Sequence, residues 1–293
     1  MKPAPFEYYA PRTLEEALDL LAAREDAKPL AGGQSLIPAL NFRLARPAAL
    51  VDLGNIAELR YVRRDNGTLL LGAMTRHVTL EHDESVAAAA PLVREAMPHV
   101  AHPQIRNRGT LGGSLAHADP AAELPAVMVT LGAAFVVRSR SGERTVQAAE
   151  FFTGLFATAL APGELLVEVR VPVLSPRTGW AFDEVARRHG DFALAGVAAA
   201  VTSSEGGVCT SARITLLSVG DGPMRASGAE QALIGRAADA KAIADAAEEA
   251  IRELEPPSDI HASGGYRKSL VRVLVKRVVE RAVKRAAGGG RSG

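Results

Sequence analysis

Apolar and polar positions first take a helical spacing over residues 13–24, where Thr13-Leu-Glu-Glu16 forms a capping box that opens an amphipathic helix. A short apolar run at 28–31 predicts a strand leading into Gly32-Gly33-Gln34-Ser35. The pattern then predicts a helix over 36–44 and a strand over 50–53. Asn66-Gly67, set between β-rich runs at 59–63 and 68–71, predicts a hairpin. Helices follow over 86–97 and 121–131. Strands at 133–138 and 144–147 flank the Ser141-Gly142 turn, and another over 165–171 is closed by Pro172.

The proline-bearing stretch 172–179 marks the expected domain boundary. Beyond it, strand-like runs at 180–185, 194–202 and 208–219 precede helices at 227–234, 238–254 and 266–287. Strands followed by helices predict a separate α+β domain. No internal repeat is visible, and the tail 288–293 is expected to be flexible. Its Gly-Gly-Gly-Arg-Ser-Gly formally fits a dinucleotide fingerprint, but no strand precedes it and no helix follows.

Composition narrows the function classes. With 34 Lys+Arg against 33 Asp+Glu, the net charge of +1 argues against a dedicated nucleic-acid binder. The longest apolar run, 193–201, is too short to span a membrane. The N-terminus lacks an apolar signal-peptide core, so a cytoplasmic location is expected. Cys209 is the single cysteine, which excludes an internal disulfide, a cysteine-ligated iron–sulfur cluster and a multi-cysteine zinc site. If this chain moves electrons, its carrier is an organic cofactor. His99-x-x-His102 has ligand-like spacing, but no recognisable pattern supplies further ligands, so no metal site is assigned.

Two glycine segments carry the candidate chemistry: Ala31-Gly32-Gly33-Gln34-Ser35 and Thr110-Leu111-Gly112-Gly113-Ser114. Glycine permits positive φ and lets backbone N–H groups approach a ligand closely. Successive N–H groups around such a turn form an anion site. Ser35, Thr110 and Ser114 add hydroxyl donors, and a hydrogen bond to a charged group is worth roughly 1.5–3 kcal/mol. Either segment alone is more simply a tight turn; the pair suits a dinucleotide pyrophosphate. Asp119 fits the N-cap of the next helix, with Pro120 at its first position. Glu123 falls in that helix's first turn, where it complements the dipole or accepts from a ligand ribose. The final helix carries eight basic residues between Arg267 and Arg285 against Glu280 alone. Its basic face is either solvated or in contact with an acidic partner.

These segments, with residues 104–109, 117–125 and 186–193, closely resemble the flavin subunits of molybdenum hydroxylases, the family of carbon monoxide dehydrogenase, xanthine dehydrogenase and quinoline oxidoreductase. The resemblance runs from about Phe6 to the final helix. It implies an α+β protein: an FAD-binding domain of the vanillyl-alcohol-oxidase (PCMH) type over 1–177, with subdomains of about 1–54 and 55–177, then a C-terminal domain over 178–287. It implies non-covalent FAD, with Gln34 where some relatives carry histidine. By the same resemblance the glycine segments hold the pyrophosphate, Glu123 the ribose, and Val100 and Leu160 apolar parts of the cofactor. Phe182 and Arg187 fall in or beside a segment that flanks the flavin in relatives. Molybdopterin cytosine dinucleotide and two [2Fe–2S] clusters would reside in a large and a small partner subunit, in a dimer of heterotrimers, and electrons would pass through FAD to an external acceptor. A stand-alone flavin oxidase and a flavin-free scaffold are the rival expectations.

Overall fold

A computed structural model describes residues 1–288, so the tail expected at 288–293 lies, beyond Gly288, outside the described residues. The first layer is small. Strands β1 (Glu7–Tyr9), β2 (Ala27–Leu30) and β3 (Ala49–Asp52) form a parallel sheet in the order β1-β3-β2, linked by helices α1 (Leu14–Ala22) and α2 (Leu36–Asn41). The capping box works as expected: Thr13 Oγ1 accepts from the Glu16 N–H at 3.2 Å. Leu14, Ala17, Leu18 and Leu21 then face one core with Val51 and Ile56.

The second layer is an antiparallel sheet built from β4 (Val62–Asp65), β5 (Thr68–Gly72), β6 (Ala134–Ser139), β7 (Gly142–Gln147) and, beyond the short pair β8 (Phe152–Gly154) and β9 (Ala157–Thr158), β10 (Leu165–Pro172). Its order is β4-β5-β10-β6-β7. Asn66 and Gly67 have φ of 44° and 79°, the double left-handed turn that suits a two-residue hairpin. Six helices separate β5 from β6: α3 (His77–His82), α4 (Glu84–Ala89), α5 (Pro91–Ala96), α6 (Pro103–Arg106), α7 (Leu111–His117) and α8 (Glu123–Leu131). The single helix expected over 86–97 is two, because Pro91 starts a new helix and Ala90 leaves helical geometry. A short helix α9 (Ala148–Phe151) follows β7.

The third layer is an antiparallel sheet of β11 (Thr178–Ala186), β12 (Ala193–Ser203), β13 (Cys209–Leu217) and β14 (Met224–Arg225), with helices α10 (Ser227–Leu233), α11 (Ala240–Ile251) and α12 (Gly264–Ala287). The apolar run in β12 is a strand covered on both faces, which removes the need for polar alternation. Ala195, Val197, Ala199 and Val201 meet α11 and α12, whereas Ala198 joins the core that includes α5 and α8. Trp180, Phe182 and Leu217 join that same core, so the third layer is continuous with the second.

The final helix is less solvated than its charge suggests. Arg267 is buried and paired with Asp259 at 2.7 Å. Arg281 and Arg285 both bind Glu95 of α5 within the chain.

Candidate functional site

A cleft of 1210 Å³ opens between the layers, larger than the usual range of small-molecule pockets. Both glycine segments line it, with the β6–β7 tip, the loop 160–164 and residues 190–192 of the third layer.

The first segment leaves β2 and turns at Gly33, whose φ of +73° favours glycine. Gln34 Nε2 donates to the Gly32 carbonyl at 3.0 Å, which ties the turn to itself. Among the described residues no acceptor meets the N–H groups of Gly32, Gly33, Gln34 and Ser35. Gly32 is buried, Gly33 and Gln34 are half-buried and Ser35 is exposed, so these N–H groups are open to solvent or to a ligand, and a run of such groups suits an anion.

The second segment is not a loop but the start of α7, which sequence patterning missed. Thr110 is its N-cap: Oγ1 accepts from the Gly113 N–H at 3.2 Å. The Leu111 and Gly112 N–H groups donate to the carbonyls of Thr75 and Ala73, at 3.0 and 2.7 Å. Most N–H groups here are thus used internally, and the segment serves as a wall more than as a donor set. A Cβ on Gly112 would stand 2.6 Å from Ala73 Cβ, so that glycine answers to packing. The two segments touch. A Cβ on Gly113 would lie 3.2 Å from Ala31 Cβ, and one on Gly32 would lie 2.5 Å from the Arg108 carbonyl oxygen.

Neighbouring elements hold the rest of the wall. Arg106, buried, pairs with Glu81 at 2.7 Å and donates to the carbonyls of Val100 and Ala101 at 3.1 and 3.2 Å. That anchors Val100 at the cleft. Arg144 pairs with Glu164 and donates to the Ala159 carbonyl at 2.6 Å, fixing the loop that carries Leu160.

Glu123 is the first residue of α8 and buried on the cleft wall. Burial pushes its carboxyl up to about 8, and the charges of Glu184 and Asp119 push the same way. The cap of α8 is Ala122, not Asp119 as the sequence suggested; Asp119 instead accepts from the Ala121 N–H at 2.9 Å, one turn early.

Twelve of the candidate residues line the cleft: Ala31, Gly32, Gly33, Gln34, Ser35, Val100, Thr110, Gly112, Gly113, Ser114, Glu123 and Leu160. Three do not. Leu111 points into the core beneath α7. Phe182 is buried by the alternation of β11 and meets His99 edge-on at 5.1 Å. Arg187 pairs with Asp191 at 2.9 Å and lines an adjoining 250 Å³ depression that shares Asp119, Ala121, Asp191 and Phe192 with the cleft. The cleft also brings in residues that the sequence did not single out, among them Met74, His77, Arg140 and the exposed Phe192. Phe192 lies next to the flavin-flanking segment, which is the one signal that could have found it.

Fold and cleft together define a protein that receives a large anionic cofactor between mixed α/β layers. Known proteins identify which one. A family model for the FAD binding domain in molybdopterin dehydrogenase matches residues 4–174, and one for the CO dehydrogenase flavoprotein C-terminal domain matches residues 180–282. The 6-hydroxypseudooxynicotine dehydrogenase complex subunit alpha of Paenarthrobacter nicotinovorans is 45% identical over 98% of this chain and 97% of its own length. The carbon monoxide dehydrogenase medium chain of Hydrogenophaga pseudoflava is 40% identical over 98% of this chain and 100% of its own. The crystal structure of quinoline 2-oxidoreductase from Pseudomonas putida 86 superposes with a TM-score of 0.94 at 45% identity, covering 98% of this chain and 100% of that one. This chain belongs to the FAD-binding medium-subunit family of molybdenum hydroxylases. The open N–H set, the paired glycine segments and the cleft volume fit FAD.

Proposed function

We propose that this chain carries electrons on non-covalent FAD, as the medium subunit of a heterotrimeric molybdenum hydroxylase. Bound FAD supplies redox chemistry that this chain's side chains lack. The chain's own groups bind and orient it: the N–H groups of Gly32–Ser35 receive the pyrophosphate, the α7 start closes over it, Glu123 accepts from ribose hydroxyls, and Val100 and Leu160 cover apolar surface. Electrons come from a small [2Fe–2S] subunit and leave to an external acceptor. Substrate is hydroxylated on a large molybdopterin subunit, and the assembly is a dimer of heterotrimers. The observation that carries this reading is the cleft itself, in a chain whose only cysteine is buried and single. Relatives named for caffeine and for 6-hydroxypseudooxynicotine, both 45% identical, favour a nitrogen-heterocyclic substrate for the complex over carbon monoxide.

The experiment is anaerobic reduction. Purified alone, the chain should be yellow, release its flavin on acid precipitation, and stay oxidised with every candidate organic substrate. Co-expression with both partner subunits should restore substrate-dependent bleaching. Bleaching by the isolated chain would instead establish a stand-alone oxidase, and flavin that precipitates with the polypeptide would refute non-covalent binding.

A further inference from the structure

The second glycine segment spends its N–H groups internally, so its shape depends on what holds its carbonyls. Residues 75–77 run beside 109–111: the Leu111 N–H donates to the Thr75 carbonyl and the His77 N–H to the Gly109 carbonyl, each at 3.0 Å. The His77 side chain adds another bond, with Nε2 2.9 Å from the Thr110 carbonyl oxygen. A carbonyl oxygen only accepts, so Nε2 carries the hydrogen and Nδ1 the lone pair. Nδ1 is buried without a partner among the described residues, in a side chain only 5% exposed. A Cβ on Gly109 would stand 2.7 Å from that atom, so the ring packs directly on the glycine.

Packing alone does not call for an imidazole here. An apolar side chain would fill the space without leaving a buried lone pair, which is costly. What the ring supplies is a donor for Thr110, the residue whose Oγ1 holds the Gly113 N–H. Gly113 in turn abuts Ala31 of the first segment.

We propose that His77 is a positioning residue for the cofactor: by donating through Nε2 to the Thr110 carbonyl, it sets the peptide plane of the second segment and hence the spacing of the two segments that receive the pyrophosphate. This rests on the reading that those segments hold the pyrophosphate. It adds a residue from outside both glycine motifs, itself on the cleft wall, whose positioning effect runs through Thr110.

The test uses the full chain stripped of flavin and titrated with FAD, and with ADP as a probe of the pyrophosphate half. His77→Leu fills the space without a donor, whereas His77→Gln keeps one. His77→Leu should weaken both ligands about tenfold, the scale of one lost hydrogen bond, and His77→Gln should stay within about threefold of wild type. Wild-type affinity in His77→Leu overturns the proposal, as does a His77→Gln variant equally weak. Gly33→Ala separates the two levels. If it weakens ADP while His77→Leu does not, only the role of His77 fails; if neither variant affects ADP, the pyrophosphate reading fails with it. Should His77→Leu not fold, nitrogen NMR of the wild-type ring decides: a neutral Nε2–H tautomer at pH 6 is expected, and an Nδ1–H tautomer or a protonated ring overturns the assignment.

Discussion

Two ionisable side chains on the cleft wall respond to burial with opposite signs. Burial holds the His77 imidazole down at about 4, with Arg106 and Arg76 reinforcing it against the Thr110 bond. Its stabilising contribution is complete above the ordinary value near 6.5 and is lost as pH falls through 4, roughly 3 kcal/mol across that window. Glu123, raised to about 8, behaves in the reverse way. Its contribution is complete below about 4.5 and is lost as pH rises through 8. In urea titrations of the flavin-free chain, His77→Gln should flatten the acid limb and Glu123→Gln the neutral-to-alkaline limb. Curves that run parallel to wild type would remove both assignments. Ligand hydroxyls donating to Glu123 favour its ionised form, so FAD affinity should rise with pH between 5 and 8 in wild type and stay flat in Glu123→Gln. Glu123 was legible in the sequence because it opens a helix next to a glycine motif. His77 was not, since nothing in its spacing announces a contact with Thr110.

At the scale of elements, the glycines divide by physical role. Gly33 turns the chain at positive φ, while Gly112 lets α7 sit on the backbone of Ala73. Gly112→Ala should therefore lower the stability of the flavin-free chain by about 1–3 kcal/mol, the usual cost of overpacking. Gly33→Ala adds only about 1–2 kcal/mol of left-handed strain, and its larger effect should appear in FAD affinity. Melting curves with and without flavin would separate the two, and equal losses in both states would refute this division. Periodicity located most strands and the long helices because their apolar faces repeat. It missed α7, whose seven residues hold two glycines and whose start is set by the Thr110 cap and the seat on Ala73. It also joined α4 to α5, since the apolar spacing continues across a break that Pro91 imposes.

Across the whole molecule, the second and third layers meet at Glu95. Its carboxylate accepts from the Phe182 N–H at 3.2 Å and from Arg281 and Arg285 of α12. Arg285 also donates to the Trp180 carbonyl at 2.6 Å and lies over the Trp180 ring at 5.3 Å. Glu95 is mostly buried but both arginines are partly exposed, so solvent screens the pairs. Glu95→Ala should cost about 1–3 kcal/mol in urea unfolding, with weaker FAD binding because residues 190–192 of the third layer close one side of the cleft. Unchanged unfolding would mean that Trp180, Phe182 and their apolar neighbours hold the seam alone.

The amino-acid sequence by itself determined the elements whose burial is periodic, and it carried the expectation of a boundary within 172–179 and of an anion-receiving site. Glycine pairs beside hydroxyl residues suit an anion, and a lone cysteine leaves no room for a cluster ligated by this chain. It could not decide which backbone groups remain open, because that depends on pairings between distant segments: Thr75 and Ala73 take the N–H groups of Leu111 and Gly112, while those of Gly32–Ser35 find no acceptor among the described residues. Nor could it decide side-chain direction near a domain seam, where the alternation of β11 sends Phe182 into the core and Arg187 pairs with Asp191 without itself lining the cleft. Local pattern is written residue by residue; long-range pairing and burial exist only once the layers have closed on one another.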